Sequence, residues 1–317
     1  MSEPRKHHYL PQFYLLGFST DGKSIFQIEK ASGKHYPGNI KDIAAIRDFH
    51  EIDGEGAEDP NAVEKRLAKL EGELATDLRD LLNDGISNLS ALGEVVGLLS
   101  LLRMRVPSVK EHIQESLAST IKMVAKEMEK AGKLPKPPPG LEETLSVDNL
   151  QFTVMNWRCL ELMFDMAASP DILSLLGSMR ATLYRLEGEE SFVTSDQPVS
   201  LFHPSITEDH KFGVGPAIRE VEITLPLSSN ALLKLDHESG DHNEVLATKE
   251  EMIEFNRRTM ISAQKYVFSG AEPASVVQAL TPVKEMFSGF RYENTNIRGE
   301  WYQFQRYVPV NPKGMGT

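Results

Sequence analysis

The chain has 317 residues, and its 46 acidic and 34 basic side chains give a formal charge of −12 near neutral pH. An apolar fraction of 40% with a charged fraction of 25% is ordinary for a protein that buries a core, and it excludes a disordered or collagen-like chain. The acidic excess disfavours extended nucleic-acid binding, which needs a strongly positive surface. The single cysteine, Cys159, cannot form an internal disulfide and favours a reducing compartment.

The same composition predicts a cytoplasmic protein that does not span a membrane. Residues 1–8 are charged, and no apolar core typical of a signal peptide follows them. The most apolar stretch, residues 95–102, is about half as long as a membrane span, and Arg103 and Arg105 end it. The sequence identifies no cofactor, metal or partner, and it leaves open an oligomer of identical chains.

The N-terminal part predicts a turn or short helix followed by a β-hairpin. The apolar run at residues 13–18 is too dense for a solvated tail, and turn signals at Asp21-Gly22 and Ser32-Gly33 flank the apolar residues 25–28. A further short strand is expected between residues 40 and 49, followed by an acidic loop at residues 53–59.

The middle of the chain predicts four helices. Asp59-Pro60 is a typical helix start, and apolar residues spaced three and four apart from Val63 to Leu81 indicate one buried face. Further helices are expected at residues 90–105, from Pro107 to about residue 130, and at residues 147–166. The three consecutive prolines at residues 137–139 predict an extended loop between the last two helices.

The C-terminal part changes to short strands, expected at residues 192–194, 199–202, 221–225, 231–235 and 265–268. Thr248 with Glu251 predicts a capping box and therefore a helix after the fourth of these strands. This order predicts an α+β fold, in which a mixed or antiparallel sheet of N- and C-terminal strands packs against a central bundle of about four helices. We expect one domain at residues 1–270 and a C-terminal extension at residues 271–317.

Two turns carry the residues that could perform chemistry. His8 precedes a turn fixed by Pro11, and its imidazole can transfer a proton near neutral pH or bind a metal. Asp196 and Ser195 lie in a turn that leaves a predicted strand, where a rigid support often displays catalytic groups. Tyr9 and Thr194 are their neighbours and candidate binding residues. The alternative is purely structural: His8 bridges backbone groups, and Asp196 forms an Asx-turn.

Three further polar residues are candidate binding residues. Glu71 lies on the first long helix, Arg103 ends the second, and Asn256 lies on the last predicted helix. Each has an ordinary alternative, namely a solvated carboxylate, a buried arginine paired with a carboxylate, and an amide that bonds a strand end. The cluster of acidic residues and histidines at residues 236–242 lacks the spacing of a closed zinc site and is expected to be a solvated loop.

Several motifs occur in a fixed order along the chain. The first is His8-Tyr9-Leu10-Pro11, followed by Leu102-Arg103, Phe192-Val193-Thr194-Ser195-Asp196-Gln197-Pro198-Val199, Leu225-Pro226-Leu227-Ser228, Asn256, Ala263 and Tyr266-Val267-Phe268. Over residues 6–269 this set resembles the bacterial family of unknown function numbered 4238, which is marked by an HxxP motif. Met104 departs from the more polar residue expected there, and the resemblance implies no particular activity.

The residue types therefore support two hypotheses of function. The first is a hydrolase or phosphodiesterase-like enzyme that uses His8 with Asp196 and Ser195. The second is a non-catalytic binding or regulatory module, for example in phage defence or a toxin pathway, in which both turns are structural. A structural protein that acts through its contact surfaces is a third class.

Overall fold

A computed structural model describes residues 6–53, 58–141, 143–207, 213–298 and 300–310. The predicted α+β class is confirmed. The helices are α1 (Gln12–Leu16), α2 (Ala62–Asp84), α3 (Leu89–Met104), α4 (Pro107–Lys130), α5 (Asn156–Ala167), α6 (Pro170–Ser178), α7 (Lys249–Ser262) and α8 (Pro273–Leu280). The strands are β1 (Lys6–His8), β2 (Ser24–Glu29), β3 (His35–Asn39), β4 (Ala45–Arg47), β5 (Arg180–Arg185), β6 (Thr194–Ser195), β7 (Ser200–Phe202), β8 (Glu222–Ser228), β9 (Ala231–Asp236), β10 (Asn243–Leu246), β11 (Tyr266–Ser269), β12 (Gly289–Ile297) and β13 (Glu300–Val308).

N-terminal and C-terminal strands share one sheet, as the sequence predicts. Its order is β3-β2-β11-β6, and β11 pairs antiparallel with both β2 and β6. A second sheet has the order β10-β5-β9-β8-β7 and is mixed, because β10 runs parallel to β5. Two further antiparallel pairs are β1 with β4 and β12 with β13. The first sheet thus brings the turn after β6 close to the N-terminal part of the chain.

Helix α3 lies at the centre of the helical layer. Ten of its sixteen residues are buried. Nine of them belong to the main core together with apolar residues of α2, α5, α6, β8 and β9. A helix that is apolar all round is expected to be covered on every side. The end of α3 and the start of α4 therefore lie deep in the molecule, next to the N-terminal strands.

The fourth predicted helix begins later than residue 147. Helix α5 starts at Asn156 because the Asp53 carboxylate accepts the backbone N–H groups of Asn156 and Trp157, at 2.7 and 2.9 Å. Such a carboxylate satisfies free amides at a helix N-terminus, and here it comes from a distant segment. Pro170 then opens a separate helix, α6. Strands β1, β5, β10, β12 and β13 were not expected.

Within the described residues, no helix is both long enough and apolar enough to cross a membrane.

Candidate functional site

A compact group of ionisable residues lies beside β1. His7 and His50 are fully buried, and their rings stack with centroids 5.7 Å apart. The carboxylate of Glu64 on α2 bonds the Nδ1 atom of His50 at 2.7 Å. One ligand atom from each of His7, His50 and Glu64 lies within 4.8 Å of the other two. Two imidazoles and one carboxylate form a ligand set that zinc and iron use in proteins, so the group is a candidate metal centre.

The hydrogen bonds of this group leave no imidazole lone pair for a metal ion. His50 Nε2 accepts a bond from the Nε atom of Arg105 at 3.3 Å, and His7 Nδ1 accepts one from the backbone N–H of His50 at 2.9 Å. A neutral imidazole has one lone pair, so both rings have used theirs. His7 Nε2 therefore carries a proton, and it is buried with no partner among the described residues. As bonded here, the three residues do not fit a metal ion.

Arg105 connects this group to α2 and β1. Its side chain is 1% exposed, and it donates to Glu71 Oε1 and to the backbone carbonyl of His8, both at 2.6 Å. Burial raises the pKa of Glu71, and the charge of Arg105 opposes that rise. The predicted Glu71 is thus paired with Arg105, whereas the predicted Arg103 has a buried Nε atom without a partner in the described part of the chain.

His8, the histidine of the HxxP motif, is partly buried. Burial lowers its pKa, while the backbone of Lys41 and the charge of Glu64 oppose the change. Its Nε2 atom has no hydrogen-bond partner, and no bond or ion pair joins its ring to Asp196 within the residues described. Tyr9 is the motif residue whose pKa depends on Asp196. Burial raises the pKa of its phenol, and the negative charge of Asp196 adds to the rise.

The turn after β6 is held by its own side chains. The buried Asp196 carboxylate accepts the backbone N–H groups of Gln264, Lys265 and Tyr266 at 2.8, 2.7 and 3.1 Å. Ser195 Oγ donates to the carbonyl of Gln197 at 2.8 Å. Thr194 Oγ1 bonds the phenol of Tyr14 at 2.7 Å. These bonds fix the position of the turn, and the catalytic and binding roles of Thr194, Ser195 and Asp196 stay predictions.

The same turn contributes one wall of a polar cavity of about 260 Å³. Gln197 lines it, and Gln197 Oε1 accepts a bond from Ser108 Oγ of α4 at 2.7 Å. Helix α4 supplies Glu111, His112 and Glu115, and strand β12 supplies Arg291 and Tyr292. Gln264, which follows α7, also lines the cavity. The cavity therefore joins the motif turn, the start of the third long helix and the C-terminal hairpin.

His112 is the titratable ring of this cavity, and it differs from His7 and His50. Its Nε2 atom is buried without a partner in the described residues, while a hydrogen bond from the ring to the side chain of Gln305 is one of the influences that raise its pKa. That bond consequently falls on Nδ1. Because the amide nitrogen of Gln305 donates to Ser116 Oγ, the amide oxygen is left to accept the Nδ1 proton. His112 Nε2 then keeps a free lone pair, as a general base or a metal ligand requires.

The environment of His112 also favours its neutral form. Burial lowers the pKa of the ring below its ordinary value of 6.5, while Gln305 and the charge of Glu115 oppose the change. The ring stacks on Phe290 of β12, with centroids 5.1 Å apart. A neutral, oriented imidazole in a cavity is a common feature of enzymes that transfer protons.

Comparison with protein-family models decides the family. A model described as "Protein of unknown function (DUF4238)" matches residues 6–272. The chain belongs to this family. Comparison with curated proteins and with solved structures gives no match. The part matched to DUF4238 includes His8, the turn after β6 and His112, whereas β12 and β13 lie beyond it.

The sequence did contain a weak signal for this cavity. Ser108, His112 and Glu115 are spaced four and three residues apart, which places them on one helix face. A polar stripe on a helix is ordinarily the solvated face, so the pattern did not single out His112. Arg291 lies in a strand that was not predicted.

Asn256, the last predicted binding residue, joins α7 to the segment before β6. Its Oδ1 atom accepts the N–H of Val193, and its Nδ2 atom donates to the carbonyl of Ser191, both at 2.9 Å. It also borders a separate apolar groove of about 590 Å³. Its predicted binding role stays a prediction.

Proposed function

We propose that this member of the DUF4238 family is a hydrolase whose general base is His112. The observation that carries the proposal is the free lone pair of His112 Nε2 in a cavity that Gln197 of the motif turn also lines. The bond from Nδ1 to Gln305 selects the required tautomer and fixes the ring, as in many enzymes that use histidine.

The reaction that suits this arrangement is hydrolysis of an ester or amide. His112 Nε2 takes a proton from a water molecule while the water oxygen attacks the carbonyl carbon. The C–O or C–N bond then breaks, and the proton passes from His112 to the leaving group. The carboxylate of Glu115 raises the pKa of His112 and therefore stabilises the imidazolium that forms.

The charges around the cavity favour an acyl substrate over a phosphodiester. Two carboxylates, Glu111 and Glu115, line the cavity together with one guanidinium, that of Arg291. A net negative lining repels a phosphodiester, whereas a neutral or cationic ester or amide avoids that repulsion. The volume of about 260 Å³ suits the reacting end of a substrate and not the whole of a large one.

The test is hydrolysis by the purified full chain and by the His112→Gln variant. We expect cleavage of p-nitrophenyl acetate or of aminoacyl coumarin amides, and a fall in kcat/KM of about 10²-fold or more in His112→Gln. In the unsubstituted chain, kcat/KM should fall as the pH drops through a pKa below 6.5, because protonation removes the base. Exposed His35, changed to Gln, is the matched control.

Three results would count against the proposal. They are the absence of any hydrolysis, full activity in His112→Gln, and cleavage of bis(p-nitrophenyl) phosphate in preference to the acyl substrates. The same assay tests the roles predicted for His8, Ser195 and Asp196. If His8→Gln loses activity while His112→Gln stays fully active, the active site lies at the HxxP motif and not at His112.

The competing proposal is a non-catalytic binding or regulatory module, acting in the bacterial cytoplasm in a phage-defence or toxin pathway. The apolar groove beside Asn256 favours this function, because it is larger than the polar cavity and is lined mainly by apolar side chains. The free, buried Cys159 is consistent with a reducing compartment under either proposal.

A further inference from the structure

The apolar groove lies between α7, α8 and residues 189–193, and it shares no lining residue with the polar cavity. Buried Met252 and Met260 and the valines 193, 276 and 283 form its walls. Ile253 and Met286 stand at its mouth and are 44% and 40% exposed. Methionine side chains are flexible and polarisable, and they are common on surfaces that receive apolar side chains of a partner.

The length of the groove along α7 corresponds to a short helical segment. Met252, Asn256 and Met260 follow one another at intervals of four residues along α7, so the groove extends for about 12 Å along that helix. This length corresponds to about two turns of a second helix. Such a helix would present apolar side chains at positions i, i+3 or i+4, and i+7.

The chain segments that flank the groove carry an excess of acidic residues. Residues 187–190, 249–257 and 271–286 contain eight acidic and three basic residues. Two of the three basic residues bond acidic neighbours: Lys249 bonds Glu190 at 2.7 Å, and Arg257 bonds Glu254. Other carboxylates of these segments are exposed, namely Glu187, Glu189, Glu250, Glu272 and Glu285. Of the described residues that line the groove, only Glu189, Glu190 and Arg257 are charged, and the flanking segments add more carboxylates than the exposed Lys284 offsets. This balance favours a partner that is basic around an apolar stripe.

We propose that the groove binds a basic amphipathic helix of a partner protein. Its apolar stripe would pack on the exposed Ile253 and Met286 at the mouth of the groove, and its lysines or arginines would face the exposed carboxylates of the flanking segments. This inference does not depend on the hydrolase proposal, because none of these residues lines the polar cavity.

The experiment is fluorescence anisotropy with the full chain and three labelled peptides of about 14 residues, which is about four helical turns. One is an amphipathic Leu/Lys helix, one has the same composition in scrambled order, and one is an amphipathic Leu/Glu helix. We expect the amphipathic Leu/Lys peptide to bind at about micromolar concentration and the other two at least tenfold more weakly. Binding should weaken as salt is added, since the rim charges are exposed.

Substitutions in and near the groove test whether the peptide binds there. Ile253→Glu should weaken binding of the Leu/Lys peptide about tenfold or more, because it places a charge on the apolar wall. The double variant Glu189→Lys with Glu272→Lys changes exposed residues alone and should also weaken binding, which covers the case in which Ile253→Glu misfolds. The matched control is Leu89→Glu. Leu89 is also an exposed apolar residue, but it lies at the start of α3, so this change should have no effect on peptide binding.

Three outcomes would overturn the proposal. Equal affinity for the scrambled peptide would show attraction by net charge alone. Unchanged affinity in the folded variants would place the peptide elsewhere on the molecule. Binding of the small apolar dye ANS that depends on Ile253, without competition by the Leu/Lys peptide, would show that the groove receives a small molecule.

Discussion

Three histidines of this chain differ in what their ring nitrogens contact. That difference distinguishes histidines with a structural role from a candidate general base. His7 and His50 lie close to a carboxylate, as metal ligands do, but their lone pairs already accept hydrogen bonds. His112 has one nitrogen bonded to Gln305 and the other free. The lone pair of His50 is occupied, so this residue belongs to a structural network. The lone pair of His112 Nε2 is free, so His112 is the better candidate base.

His50 should make stability depend on pH. Burial lowers its pKa to about 4 from an ordinary value of 6.5, so the folded chain favours the neutral ring. The unfolded chain takes up a proton near pH 6.5, and the stabilisation present above that pH is lost as the pH falls towards 4. This one group accounts for a loss of roughly 3 kcal/mol in the free energy of unfolding.

Urea unfolding between pH 7.5 and about pH 4 measures this effect. His50→Gln should be less stable than the unsubstituted chain at pH 7.5, because Arg105 and Glu64 lose a partner of the right shape. Its stability should then fall less steeply than that of the unsubstituted chain as the pH is lowered. Parallel pH curves for the two proteins, or an equal change in the exposed control His35→Gln, would contradict this role.

At the scale of elements, patterns among residues close in sequence predicted helix starts and buried helix faces well. The capping box of Thr248 and Glu251 is present at the start of α7. The apolar spacing of α2 predicts four of its buried leucines, but Leu70, which the same spacing places on the buried face, is 40% exposed. The start of α5 could not be predicted, because the carboxylate that caps it comes from Asp53, more than 100 residues earlier. Similarly, Arg103 and Arg105 are indistinguishable by residue type, and their places in the fold decide which one pairs with Glu71.

The contact between β6 and the end of α7 depends on Asp196. Its two carboxylate oxygens accept three backbone N–H groups, and an asparagine offers one oxygen and two competing donors. We expect Asp196→Asn to lower the free energy of unfolding by about 2–4 kcal/mol, measured by urea denaturation. The exposed Asp171→Asn in the first turn of α6 is the control and should change stability by less than about 0.5 kcal/mol.

A second measurement on Asp196→Asn separates stability from catalysis. Under conditions in which the variant is fully folded, kcat should stay within a few-fold of the unsubstituted value if the carboxylate acts through the turn. A folded variant of unchanged stability that loses kcat by orders of magnitude would instead support the catalytic role predicted from the sequence.

At the scale of the whole molecule, the α+β class and the shared sheet followed from the order of elements, but the polar cavity did not. It combines Gln197 and Gln264 with His112 and Arg291, which lie far apart in sequence. The motif turn was identified by its residue types, whereas its neighbours in space depend on long-range packing. The predicted boundary at residue 270 likewise stays a prediction, although the described residues on its two sides share this cavity.

The contacts across residue 270 predict that both parts unfold together. Tyr307 belongs to the main core and is 5% exposed, and Val308 and Val310 are fully buried. Gln305 also bonds Ser116 on α4. Separating the C-terminal hairpin would expose these apolar groups to water and leave Ser116 and His112 without a partner, which makes an independent N-terminal unit unfavourable.

The two tryptophans allow this to be measured, because Trp157 lies on α5 and Trp301 on β13. In Trp301→Phe the fluorescence follows the helical layer, and in Trp157→Phe it follows the hairpin. We expect both reporters to give the same urea midpoint and the same slope, equal to those from circular dichroism of each variant, since coincident transitions indicate one cooperative unit. If the Trp301 signal changes at a lower urea concentration than the Trp157 signal, the hairpin unfolds separately, and residues 271–317 form the extension that the sequence predicts.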